Sequence, residues 1–96
     1  MTEARTVRQA RPARNSQVWL RQAGSESVVY DPGRESGHVM NATAVAIWVL
    51  CDGDTAPAEM IEAICQLSGL PYDVVLEDVS RILDEFEDAG IISWSD

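Results

Sequence analysis

The sequence predicts an α+β domain in which three short strands come first and three helices follow. Three observations carry this reading. Segments rich in β-formers, separated by turn residues, occupy the first half of the chain. Apolar residues at helical spacing fill the second half. Between them lies Gly37 to Thr55, GHVMNATAVAIWVLCDGDT, which starts as strand and finishes as helix, so that the elements on either side must pack on it.

Taken in order, residues 1–16 (MTEARTVRQARPARNS) lack apolar periodicity, and Pro12 interrupts any helix that the spaced arginines suggest. A disordered basic tail is expected there, ahead of a folded domain over residues 17–96. Strands are expected at Gln17–Arg21, at Ser27–Tyr30 and at His38–Met40, with turns at Gly24-Ser25 and Asp31-Pro32-Gly33. Strands this close in sequence form an antiparallel meander. The third lies at an edge, where it offers unpaired amides and carbonyls to another extended chain.

The first helix follows Asn41, whose side-chain oxygen can accept from a first-turn amide. It runs through the eight apolar residues Ala44–Cys51 and stops at Asp52-Gly53. With no polar stripe, it is expected to be enclosed on every side. Thr55 is the expected N-cap of the second helix, with Pro57 in its first turn and an apolar stripe of Met60, Ile61, Ile64 and Leu67. The third helix is expected from Pro71 to Gly90. Its apolar residues Val75, Leu76, Val79, Ile82, Leu83 and Phe86 form a stripe wider than one core seam needs, opposite a face rich in carboxylates. Either one edge of that stripe faces a groove, or the helix is sandwiched between its neighbours. Ile91-Ile92-Ser93-Trp94 is too apolar to hang free and is expected to dock.

The formal net charge is -9, unevenly divided. Residues 1–16 set four arginines against Glu3, for +3, while residues 17–96 set three arginines against fifteen acids, for -12. An acidic surface of this kind repels a phosphate backbone, so nucleic acid is not expected as a partner. The longest apolar run falls well short of a membrane span. With no apolar signal core at the N-terminus, the expected location is the cytoplasm and no membrane is expected as a partner. Cys51 and Cys65 fit no zinc or redox spacing and read as reduced thiols.

Catalytic signatures are missing. His38 is the single histidine and sits in a strand, without the companions that a general base or a metal ligand needs. There is no phosphate-binding glycine loop and no nucleophile elbow, and Asp52-Gly53-Asp54 is too short for a calcium loop. The chain is not expected to be an enzyme or to carry a cofactor or metal.

The residues His38-Val39-Met40-Asn41-Ala42-Thr43-Ala44, then Ile47-Trp48, then Leu50-Cys51-Asp52-Gly53, resemble the PqqD family. There a strand ending in a Leu-Asn-type step leads into a helix with a Thr-Ala pair, an aliphatic-Trp pair and a closing Asp-Gly. Met40 stands here where leucine is usual. The later pattern is similar too: Thr55 opening a helix, Asp78-Val79 with Leu83 and Phe86, and Ala89-Gly90-Ile91-Ile92. The resemblance spans roughly residues 17 to 92.

It implies a winged helix-turn-helix-like domain that serves as a recognition element for ribosomally made, post-translationally modified peptides. Such an element is a non-catalytic peptide chaperone. It binds the leader region of a precursor peptide by strand addition between the third strand and the third helix, and delivers it to a modifying enzyme, often a radical SAM protein. Pathways served by the family include quinone cofactor assembly and lasso peptides. Carried onto this chain, the strand wall of the cleft is His38, Val39 and Met40, and the helix wall is Val75, Asp78, Val79 and Ile82, with Leu76 and Leu83 on the alternative edge of the helix. Asp78 either attracts a basic leader residue or is one more solvated acid. The uncovered edge also makes a homodimer a candidate assembly. The alternative allowed by the fold type is a winged-helix DNA-binding regulator, which would need a basic stripe where this chain has carboxylates.

Overall fold

Period-two alternation organises the front of the molecule and helical periodicity the back. The computed structural model describes residues 8–95. Its elements are β1 (Arg11–Arg14), β2 (Trp19–Ala23), β3 (Glu26–Asp31), β4 (Ser36–Met40), α1 (Ala42–Leu50), α2 (Pro57–Ser68), α3 (Tyr72–Asp88) and β5 (Ile92–Ser95). The architecture is α+β, with a three-stranded antiparallel sheet followed by three helices.

The main sheet has the order β2-β3-β4, with Val28 opposite Val39 and Val29 opposite His38. Because successive side chains alternate faces, Val29 and Met40 turn inward and are buried, whereas Val39 turns outward. The outward face also carries Trp19 edge-on to Tyr30, with the Arg21 guanidinium over the indole. The first strand of this sheet starts later than Gln17. Asn15 holds residues 15–18 in a turn, its Oδ1 accepting from the Gln17 amide and its carbonyl from the Val18 amide.

The expected disordered tail is corrected over Arg8–Ser16; residues 1–7 lie outside the described residues. Arg11–Arg14 form β1, which pairs antiparallel with β5, so the expected docking of the C-terminal apolar segment takes the form of a two-stranded ribbon. Pro12 is fully buried. It also bonds outward from the ribbon, its carbonyl accepting from the Gly53 amide at 2.9 Å, while the Arg14 amide donates to Cys51 at 2.8 Å. Side chains anchor the ribbon further. The Arg14 guanidinium donates to the carbonyls of Trp48 and Val49 at 3.2 and 2.7 Å, and so caps a helix end that has no basic residue of its own. Arg8 stacks over Trp94, 3.8 Å from the ring centroid, and pairs with Glu87 at 2.8 Å.

At the start of α1, Asn41 Oδ1 accepts from the Ala44 amide at 2.9 Å, as its N-cap role requires. The expected enclosure is corrected: Ile47 and Trp48 are buried, but Val49 is 55% exposed. α1 packs on α2, α3 and β4, which together do not surround it. The N-cap of α2 is Ala56 instead of Thr55. Pro57 occupies the first helical turn and holds its predecessor extended (ψ 154°), and the Glu59 carboxylate accepts the Ala56 amide at 2.9 Å. Thr55 is drawn back to Asp52. Gly69, at φ 72°, closes α2 in the left-handed conformation. The core lies between the inner sheet face and the helices, around Ile47, Met60, Ile61, Val75, Val79 and Ile91, with Trp48 edge-on to Phe86 at 5.8 Å. Each large aliphatic side chain in it contributes roughly 1.5–3 kcal/mol by leaving water.

Candidate functional site

β4 is the outer strand of its sheet, and among the described residues no strand lies along its free side. Alternate residues of such an edge direct their N–H and C=O groups into solvent. The C-terminal half of α3 passes beside that edge, and between them is a trough of about 260 Å³. His38, Val39 and Met40 form one wall, Ile82, Glu85, Phe86 and Ala89 the other, and Ala44 and Ile91 complete the lining.

Strand and helix periodicities explain how these residues meet. His38 and Met40 share the inward face of β4. Ile82, Glu85, Phe86 and Ala89 are spaced i, i+3, i+4, i+7, which is one face of a helix. Most of the lining residues are apolar, yet polar atoms make up as much of the exposed lining as apolar ones, and the carboxylate at Glu85 accepts from Arg81 at 3.3 Å. His38 Nε2 is buried without a hydrogen-bond partner.

Of the residues singled out in the sequence, the structure brings His38, Val39, Met40 and Ile82 to the trough. It does not bring the other three. Val75 and Val79, 1% and 0% exposed, are core residues enclosed by the neighbouring elements. Asp78 lies further up α3, 3.6 Å from Arg81. The trough residues that the sequence reading passed over are Ala44, Glu85, Phe86, Ala89 and Ile91. For three of them a signal was present in the seven-residue spacing from Ile82 to Ala89.

Among the described residues no three His, Cys, Asp or Glu side chains gather as a metal site. The two groups with displaced pKa values among these residues lie outside the trough lining. Burial pushes the Cys51 thiol up to about 12, which keeps it protonated and inert. The Asp52 carboxyl is lowered, chiefly by the Asp54 amide and further by the hydroxyl and amide of Thr55, against an opposing desolvation. Asp52 thereby organises the approach to α2. Among the described residues no helix is long and apolar enough to cross a membrane.

Against known families, residues 26–92 match the model for coenzyme PQQ synthesis protein D (PqqD). Two solved structures share the fold. One, described as TbiB1 in complex with the TbiA(beta) leader peptide, superposes with a TM-score of 0.75 at 19% identity, covering 88% of this chain and 99% of that one. The other, lasso peptide synthetase B1 complexed with the leader peptide, gives 0.78 at 14% identity, again covering 88% and 99%. No curated protein matches the chain.

Proposed function

The chain belongs to the PqqD family, and on that premise we propose that it is a non-catalytic peptide chaperone, binding the leader region of a ribosomally synthesised precursor peptide and delivering it to a modifying enzyme. The observation that carries this reading is the unpaired edge of β4 beside a trough whose other wall is α3. Further support comes from the two solved proteins of the same fold, each described as a complex with a leader peptide.

The mechanism is strand addition. An extended leader segment pairs its backbone with β4 and so satisfies the edge amides and carbonyls, while alternate side chains enter the trough. The backbone bonds supply affinity for any extended chain, and the pockets supply preference. Ile82 and Phe86 give an apolar seat, and His38 and Met40 line the opposite wall. In this reading Val75 and Val79 act by holding α3 in place, without touching the peptide. Asp78 stays a candidate contact for a basic residue in a leader that extends past the trough. The family background makes a radical SAM protein the expected enzyme partner and the cytoplasm the expected location. A homodimer paired through β4 would compete with the leader for the same edge.

Calorimetric titration with leader peptides of candidate precursors tests the reading. Saturable binding at micromolar or tighter affinity is expected, abolished when alternate backbone nitrogens of the peptide are methylated. Binding that survives that methylation would rule out strand addition. Failure of every leader, together with salt-sensitive binding to duplex DNA, would instead favour a DNA-binding regulator.

A further inference from the structure

Charge around the trough is uneven in a way that assigns a task to Arg34. Residues 17–96 carry a formal -12, and the helix wall presents Glu85. Arg34 is the exception at one end. It sits in the β3–β4 turn, which the buried Asp31 fixes by accepting the Gly33 and Arg34 amides at 3.0 and 3.4 Å. The Arg34 side chain reaches across to the end of α3, where Nη1 donates to the Ala89 carbonyl at 3.1 Å. The guanidinium lies so close to Gly90 that a Cβ there would be 2.9 Å from Nη2. Ala89 belongs to the trough lining, so the guanidinium stands at the end where β4 begins and α3 finishes. Arg8 and Arg81 are engaged by carboxylates; among the described residues none pairs with Arg34, which is exposed.

We infer that Arg34 sets the register of the captured peptide by binding a carboxylate at this end of the trough. The inference rests on the peptide-capture reading and adds the chemistry that reading lacks. A guanidinium offers five donors in a planar fork, and the bond to Ala89 uses one of them. Backbone pairing alone tolerates slippage, and a slip of one residue sends every side chain to the opposite face. A carboxylate moved along the trough toward Glu85, already paired with Arg81, finds no free cation among the described lining residues; at Arg34 it meets attraction. A cation at a fixed point of a strand-pairing surface therefore selects one register. The ligand class is an extended peptide with an aspartate or glutamate at a fixed offset from its apolar anchor. A free C-terminal carboxylate has the same chemistry and is separated from it by the test.

The experiment is selection of a display library of random short peptides, tethered at both ends, against the wild-type chain, Arg34→Gln and Arg34→Glu. Glutamine loses the charge while keeping a polar amide on a shorter side chain, and circular dichroism verifies that each variant folds. Wild type is expected to enrich an acidic residue at one fixed offset from an apolar residue. Arg34→Gln is expected to lose that preference and to bind the wild-type consensus peptide about two- to fivefold more weakly, and Arg34→Glu to enrich lysine or arginine at the same offset. Enriched peptides with no acidic position, or with the same acidic position for all three proteins, would overturn the inference and leave peptide capture standing. No enrichment of any peptide would overturn both. The consensus peptide made as amide and as free acid assigns the carboxylate: equal affinity indicates the side chain. Loss of binding in the amide would show that Arg34 reads a chain terminus, against the register role.

Discussion

Two β-edges of this protein have opposite fates. The β1–β5 ribbon pairs RPAR, a segment with little strand character, with ISWS, and its β1 side is bonded to the rest of the chain. Cys51, Gly53 and Ile91 bond to the backbone of residues 12–15 on its flanks, Arg14 ties it to the end of α1, and Arg8 locks it to Trp94 and Glu87. β4 belongs to the better sheet, with Val28, Val29, Val39 and Met40 in register, yet one side of it is left without a described strand. The β1 side of the ribbon meets its polar groups within the chain; β4 has no described strand along its free side. An exposed edge is ordinarily a hazard that proteins cover, and the uncovered edge beside the trough is the surface proposed above for the peptide.

Perturbations should separate these regions, and they are ordered by expected size. Phe86→Ala removes a ring that serves core and trough together, 5% exposed and edge-on to Trp48. It is expected to cost about 3–5 kcal/mol in urea unfolding and to weaken peptide binding in whatever fraction still folds. Deleting residues 1–14 leaves β5 unpaired and uncovers Ile92. A loss of more than about 2 kcal/mol is expected, with peptide affinity near wild type wherever the shortened chain is folded. Equal damage to affinity would show that the two regions are coupled. Arg14→Gln removes the charge that caps α1 and is expected to cost about 1 kcal/mol, again without effect at the trough.

The smallest expected effect comes from Asp52. Its pKa is lower in the folded chain than in the unfolded one, so it adds stability above the ordinary aspartate range, and that stability is lost as pH falls through the folded value. Asp52→Asn should therefore differ from wild type near neutral pH and converge with it in acid, as unfolding curves across that range would show.

Much of this molecule is written in short-range pattern. Asn41 capping α1, the stripe of α3 and the three strands of the main sheet follow from spacing and local chemistry alone. β1 does not, because Arg-Pro-Ala-Arg has no periodicity of its own. Its pairing is imposed by β5, by the segment after α1 and by arginine contacts that span 34 to 79 residues of sequence. α1 misled in the other direction: an all-apolar helix suggests full enclosure, but three neighbours leave Val49 in solvent. The site was half legible. His38 to Met40 could be read as an edge strand from chain order. Which residues of α3 face that edge depends on where β4 crosses the helix, a tertiary fact, and it selects Ile82, Glu85, Phe86 and Ala89 over Val75 and Val79.

The most direct measurement is amide hydrogen exchange, residue by residue, on the free protein and on the protein saturated with a bound leader peptide. The solvent-facing amides of residues 36–40 should exchange rapidly in the free chain and become protected in the complex, while those of the β1–β5 ribbon stay unchanged. If the amides of β4 are already protected in the free chain, or if saturation protects only other segments, the open edge is not where the peptide binds.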